Sequence, residues 1–390
     1  MKTETRTYTV QWKSRFIAVF LVNYCFCALS ALAEPGVTDQ KLIVGISTPL
    51  SGSLAQYGVD LYKGMQLGLM QINANGGIAG RQIELMVRDD AGLTERATAN
   101  TRELLAAGVL AITGYYGHAA IEAALPLWDA AGVPIIGVAS ESEGLREPPR
   151  STLFNLRAGA RDESIAMVLH LDTVGITEVA VITQDSDTGR AGLESFNNEL
   201  VRLAILPNAQ AQLPVNASDV AVAKAVQIVC KTNPQAIVLL LDASSALTVI
   251  RQARKKNCAP QFYVMSAAGT QILAGALLPG DMTGVVVSQV LPSPNAVKIP
   301  LVADFRRLVA AQTLSATPSY ATLEGFVYAR VIVEALKRCT REPSRRCLVK
   351  ALESRPIDVG GYRVQFHTND RRGSKFVEMT IVTPDGRFRR

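Results

Sequence analysis

The sequence predicts an α/β protein built from two doubly wound lobes, and three observations carry that prediction. Short apolar runs alternate with longer stretches whose apolar residues recur at three- and four-residue spacing, the pattern of buried parallel strands covered by helices. The rhythm starts at Lys41, restarts near Arg157 and breaks down after Gln289. The chain has 390 residues, 48% hydrophobic and 19% charged, which is globular and long enough for two cores at about 100–200 residues each.

The elements follow in order. Lys13 and Arg15 precede the apolar stretch Phe16–Leu29, which ends in Ala31-Leu32-Ala33. A basic start, a short apolar run and small residues at its end describe an export signal over residues 1–33, cut after Ala33. The run falls short of the ~20 residues of a membrane span and is interrupted by Asn23; an uncleaved anchor is the alternative. Neither Cys25 nor Cys27 sits in a lipoprotein setting. The mature chain is therefore expected in the periplasm.

Lys41–Ser47 reads as the first buried strand, and Pro49, Ser51 and Gly52 as the loop after it. A helix over Tyr57–Ala74 turns Leu61, Met65, Leu69 and Ile72 to the core and stops at Asn75-Gly76-Gly77. The cycle repeats: strand Gln82–Arg88, helix Thr94–Ala106, strand Val109–Thr113, helix Ala119–Ala131, strand Val133–Val138. The second set holds strands Val179–Gln184, Ala236–Leu241 and Phe262–Ser266 between helices. The tail reads as strand Gly284–Gln289, helices Leu301–Gln312 and Ser319–Arg338, and antiparallel strands Tyr362–His367 and Lys375–Val382 around an Asn369–Gly373 turn.

Charge argues against a nucleic-acid partner. The formal charge is +6, but removing residues 1–33 takes away four basic residues and Glu4 and leaves +3. No Lys/Arg stripe interleaved with aromatics remains. His118, His170 and His367 are too scattered for a histidine-built metal site.

Export places the cysteines in oxidising surroundings. Cys230 ends one predicted helix and Cys258 follows another, with strand Ala236–Leu241 between. Both helices run antiparallel to that strand, so both ends lie at one sheet edge. Cys230–Cys258 and Cys339–Cys347 are the pairing predicted among three; four buried free thiols are the alternative.

Ligands of open α/β sheets bind beyond the carboxyl ends of the strands. Those positions hold Ser51, Gln56 and Tyr57, then Gly114-Tyr115-Tyr116-Gly117-His118, then Ala139, Ser140, Glu141 and Ser142. In the second set they hold Asp185, Asp187, Thr188, Arg190, Asp242 and Ser244. No GxSxG, Walker A, GxGxxG after a strand, HExxH or CxxC is present. A His118–Asp187–serine triad can be written, but His118 reads better as a polar residue opening the helix at Ala119. No catalytic residue, metal or cofactor is predicted.

The stretch VGISTPLSGSLAQYGVDLYKGMQLGLMQINANGGIAGRQIELMVRDDA resembles the start of periplasmic substrate-binding proteins of branched-chain amino-acid ABC transporters. The marks are the Pro-Leu-Ser-Gly loop, Ala-x-Tyr-Gly, the helix with Gly64, Asn-x-x-Gly-Gly-Ile-x-Gly and Asp89-Asp90. GYYGH, GVPIIGVAS, DTGRAG, IRQARKKNC and YATLEGF continue the likeness, which covers Lys41–Arg387.

The resemblance implies a type I periplasmic-binding fold: two Rossmann-like lobes joined by three crossovers, with a solute trapped as they close. Lobe 1 would be residues 38–156 plus 289–358, and lobe 2 residues 157–288 plus 359–390, carrying the final hairpin. It further implies that Tyr57 covers the solute and that the loops with Tyr116, Gly117, His118, Ala139, Ser140 and Glu141 hold a carboxylate. An aromatic wall of the family falls at Thr188, beside Asp187. The acid that pairs with an α-amine falls near Ser266, with Asp242 the nearest acidic replacement. The expected function is a non-enzymatic receptor for a small polar solute, monomeric, delivering to an ABC permease; a sensor of the same fold docking on a membrane kinase or chemoreceptor is the alternative.

Overall fold

The computed structural model describes residues 1, 3, 34–271, 279–311, 314–383 and 387–389. The predicted export signal and its cleavage site lie outside the described residues. Pro35–Arg390 forms one unit, and its described residues form a five-stranded sheet, a seven-stranded sheet and a two-stranded ribbon.

The first sheet takes its strands from the first part of the chain. These elements are β1 (Lys41–Thr48), α1 (Ala55–Ala74), β2 (Gln82–Asp89), α2 (Thr94–Ala106), β3 (Ala111–Thr113), α3 (His118–Ala131), β4 (Ile135–Ile136) and β5 (Leu153–Phe154). The strands are parallel in the order β2-β1-β3-β4-β5.

The second set is α4 (Ala160–Thr173), β6 (Val179–Gln184), α5 (Asp187–Arg202), β7 (Ala209–Leu213), α6 (Asp219–Cys230), β8 (Ala236–Leu240), α7 (Ala243–Lys255), β9 (Gln261–Val264), α8 (Ser266–Gln271), α9 (Pro279–Met282) and β10 (Val285–Gln289). The chain then returns to the first lobe as α10 (Pro300–Ala310), α11 (Tyr320–Lys337), α12 (Arg345–Ser354), β11 (Ile357–Asp358) and β12 (Arg363–Val364). It finishes as β13 (Glu378–Val382) and β14 (Phe388–Arg389). The second sheet runs β14-β13-β10-β9-β8-β6-β7, with β13 and β14 antiparallel to a parallel centre.

Every residue of β6, β8 and β10 is buried, which is why β8 and the first residues of β6 and β10 read as apolar runs with helices over both faces, while Thr183-Gln184 and Ser288-Gln289 are buried polar ends. In the first lobe α1 packs on α11 at close range, because a Cβ on Gly64 would stand 1.9 Å from the Thr322 carbonyl oxygen and one on Gly325 1.9 Å from that of Leu61. Any larger residue at either position forces the two helices apart.

The chain thus passes between lobes three times, after β5, β10 and β12. The crossovers are tied together where they run side by side. The Tyr362 hydroxyl donates to the Leu156 carbonyl at 2.7 Å and reaches that of Val290 at 3.5 Å. Asn155 N–H donates to the Arg371 carbonyl at 3.0 Å, and Gly373 N–H returns a bond to the Asn155 carbonyl at 2.8 Å.

Both predicted disulfides are present, Cys230–Cys258 with Cα atoms 6.1 Å apart and Cys339–Cys347 with 5.9 Å. The terminal hairpin differs from the expectation. Residues 362–367 do not pair with 375–382. Instead β12 pairs with β11, and β13 pairs with β10 and β14. Burial decides this: Tyr362, Val364 and Phe366 pack into the core around β1, α1 and α11, while β13 completes the open edge of the second sheet. Only short contacts between residues 365–367 and 370–373 remain of the expected turn. The strand expected to run through Ser266 ends at Val264, and Ser266 opens α8.

Candidate functional site

The loops after β3 and β4 are built as one surface. Tyr116 bridges Ala139 in parallel, Ala139 N–H donates to the Tyr115 carbonyl at 2.8 Å, and Gly117 N–H donates to the Ala139 carbonyl at 3.1 Å. Tyr115 belongs to the core. Its hydroxyl lies 2.6 Å from that of Thr101, its ring stands edge-on to Trp128 at 4.8 Å, and burial pushes its phenol up to about 12. Tyr116 instead lies against Tyr57, ring centroids 4.3 Å apart.

Gly117, at φ +84°, precedes α3 and has nothing within 4 Å of where a Cβ would sit, so the helix start is uncovered on that side. The first N–H groups of such a helix seek an acceptor. His118 lies exposed on α3 with its Nε2 3.2 Å from Glu122 Oε2.

The chain beyond Ala139 turns to meet the second lobe. The Glu141 carbonyl accepts from Ala160 N–H at 2.9 Å, and Glu143 Oε1 accepts from Arg161 N–H at 2.9 Å. Burial raises the Glu143 carboxyl, and Arg146 opposes that shift. Ser140 is buried, its hydroxyl accepting from Ser142 N–H at 3.2 Å. Arg146, also buried, donates to the carbonyls of Ser142, Ser140, Arg157 and Ala158 at 2.7–3.2 Å, which clamps this loop on the first crossover.

From the second lobe, Asp187 opens α5 with its side chain 81% exposed and 2.5 Å from Arg190, and Thr188 beside it is half-buried. Ser186 caps this helix by accepting from Gly189 N–H. Asp187, Arg190 and Arg161 face Glu143 and Glu147 across a cavity of about 540 Å³. Asp242 caps α7. Its carboxylate accepts from Ser245 N–H at 2.9 Å, Ser245 Oγ at 2.8 Å and the Gln184 amide.

Ser266 leads to a network that runs from one lobe to the other. Arg157, in the first crossover and 5% exposed, donates through Nη2 to Ser266 Oγ at 2.6 Å and through Nη1 to Glu324 Oε1 at 3.3 Å. Glu324 also accepts from Tyr57 Oη at 2.8 Å and Tyr328 Oη at 2.7 Å. Ser266 in turn donates its N–H and its hydroxyl to Glu163, both at 2.8 Å, and Ser288 donates to the same carboxylate.

Burial sets the ionisation here. It raises both phenols well above their usual value, with Glu324 adding to the rise. Burial would lower the Arg157 guanidinium, but Glu324, then Tyr57, hold it above its ordinary range. Burial pushes Glu163 up to about 6, against the pull of Arg157 and the Ser288 and Ser266 hydrogen bonds.

The structure therefore brings Tyr57, Tyr116, Gly117 and Ala139 together on the first lobe, and joins Tyr57 to Ser266 through Glu324 and Arg157. His118 and Asp187 instead contact neighbours on their own helices, and Asp242 contacts Ser245 on its helix and Gln184 at the end of β6. Sequence reasoning missed Arg157, Glu163 and Glu324. A signal existed for each: Arg157 follows a strand closely, Glu163 lies in the first turn of a helix, and Glu324 is an acid within the apolar run ATLEGFVYA.

The sequence profile of a family described as periplasmic binding protein matches residues 41–387. Among curated relatives, the Leu/Ile/Val-binding protein homolog 7 of Brucella abortus is 25% identical over 375 residues, spanning 90% of this chain and 91% of that protein. The Leu/Ile/Val-binding protein homolog 8 of Brucella suis is 26% identical over 391 residues, spanning 93% and 92%. Among solved structures, an extracellular ligand-binding receptor from Verminephrobacter eiseniae has the same fold, with a TM-score of 0.79 at 24% identity over 90% of this chain and 100% of that one. A substrate-binding periplasmic protein from Ralstonia solanacearum superposes with a TM-score of 0.75 at 29% identity, covering 89% and 99%.

Proposed function

We propose a function that starts from one fact: the chain belongs to the periplasmic binding protein family, whose members are solute-binding receptors rather than enzymes. In the periplasm it captures a small polar solute between its two lobes and presents the closed form to the membrane permease of an ABC transporter. Closure is driven by solute only if the solute contacts both lobes, since a ligand shifts an equilibrium by its differential affinity for the two states.

The observation that carries this is the contact of strand-end loops from both lobes around the Arg157 network. The uncovered start of α3 at Gly117 and His118, with Ala139, Ser140 and Glu141 beside it, is the place for an anionic or carbonyl group of the solute. Half-buried Tyr116, backed by the buried ring of Tyr57, supplies the aromatic surface, and Asp187, Thr188, Asp242 and Ser266 the facing edge of the second lobe. The Leu/Ile/Val for which the Brucella relatives are named are poor candidates for this chain, because the lobe-2 position of Ser266 offers a hydroxyl already bound to a guanidinium.

Native mass spectrometry on gently purified protein tests the proposal. A retained small molecule that is displaced unchanged supports it. Conversion of that molecule to a product, or an adduct-free protein whose melting point no periplasmic solute raises, refutes it.

A further inference from the structure

We infer that the lobe arrangement of this structure is the closed one and that Arg157 is an internal latch, a side chain that holds it without help from a solute. Its guanidinium joins groups rooted in separate cores: Glu324 on α11 of the first lobe at 3.3 Å, and Ser266 at the start of α8 of the second at 2.6 Å. Each partner is itself fixed from behind. Tyr57 and Tyr328 hold the Glu324 carboxylate, and Glu163 takes both the N–H and the hydroxyl of Ser266.

An N–H···O hydrogen bond holds donor and acceptor at about 2.7–3.2 Å and no longer exists at about 3.6 Å. The guanidinium therefore cannot keep both contacts while α11 and α8 separate. Arg157 Nε is already buried without a partner, so losing the Ser266 contact leaves a second donor unfilled until water enters. The latch thus biases the open–closed equilibrium of the empty protein toward closure, and it lowers the differential affinity a solute must supply. It rests on the lobe closure of the proposed function but on no particular solute. Its test therefore uses the empty protein, and its failure leaves the capture of a solute untouched.

The experiment is small-angle scattering on solute-free mature protein, comparing wild type with Ser266→Ala, Arg157→Lys and Ser288→Ala. Ser266→Ala removes the acceptor on the second lobe and leaves the Arg157–Glu324 contact in place. Ser288→Ala takes a partner from Glu163 without touching the bridge. The expected result is a larger radius of gyration and maximum dimension for Ser266→Ala and Arg157→Lys, and a wild-type curve for Ser288→Ala. Should Arg157→Lys fail to fold, Ser266→Ala against Ser288→Ala decides alone. Superimposable curves for Ser266→Ala and wild type overturn the latch, as does an equal expansion in Ser288→Ala.

Discussion

Removing the Tyr57 hydroxyl separates a ring that supports the fold from one that merely lines a cleft. Tyr57 is 5% exposed, and its Oη donates to Glu324 Oε2 at 2.8 Å. A hydrogen bond to a charged group contributes about 1.5–3 kcal/mol, and the lower end applies because Glu324 keeps Tyr328 and Arg157. Tyr57→Phe should therefore cost about 2 kcal/mol, a fall of about 2–4 °C in melting temperature for a chain of this size. Tyr57→Ala also deletes the ring packed on Tyr116 and should cost about 3–5 kcal/mol. Tyr328→Phe removes the other phenol from the same carboxylate, so the double variant should lose more than the two single losses together, by about 0.5–3 kcal/mol. Thermal and urea melts of solute-free protein read all of this. A wild-type melting point for Tyr57→Phe, with Tyr57→Ala costing less than about 1 kcal/mol, would refute the reasoning.

The Glu163 carboxyl, raised to about 6 by burial, makes the fold favour its protonated form. Its stabilising contribution is full below the unfolded value near 4.5 and is lost as pH rises through 6, about 2 kcal/mol in all; Glu163→Gln should flatten that slope in melting temperature against pH, although Arg157, Ser266, Ser288 and Glu141 face the group. Replacing Cys230 and Cys258 together by serine should cost about 3.5 kcal/mol for a separation of 28 residues, and non-reducing peptide mapping should recover both predicted pairs. Leucine, isoleucine and valine should give no heat at micromolar concentrations in calorimetric titration of stripped protein; tight binding of any one would show that Arg157 yields its place at Ser266 to an ammonium group.

Much of the fold was legible because burial on both faces leaves a direct mark on sequence. β8 is apolar throughout, and β6 and β10 are apolar up to their last two residues, because helices cover them front and back. Cys230–Cys258 was legible for a topological reason, since helices flanking one strand end at the same sheet edge, and Cys339–Cys347 followed as the remaining pair. The edge strand β7, Ala209–Leu213, alternates exposed and half-buried residues and carried no such mark. The tail misled because two short strands flanking a turn look alike whether they pair with each other or with distant partners. Only the burial of Tyr362 and Phe366 against the β1–α1–α11 core distinguishes the cases, and that is a tertiary fact. The site was half legible. Strand-end position picks out Tyr57 and Gly117 and the family resemblance Ser266, but the groups that join Tyr57 to Ser266 lie far apart in the chain, with Glu324 167 residues from Arg157 and Ser266 109.

Two buried arginines flank the first crossover, and the difference between them shows why one can respond to lobe position. Arg146 spends its donors on carbonyls of residues 140–158, all in its own stretch of chain. Those acceptors move with it, so Arg146 shapes the loop after β4 whatever the lobes do. Arg157 spends its donors on side chains of two remote segments whose positions depend on separate cores. A buried ion pair is a poor way to gain stability, because desolvation cancels most of the attraction, and well-packed apolar groups often do as well. What a charge at this place provides instead is a contact satisfied in one arrangement of the lobes and unsatisfied in another. An apolar side chain at position 157 would slide between arrangements at little cost; a guanidinium fixed between Glu324 and Ser266 distinguishes them.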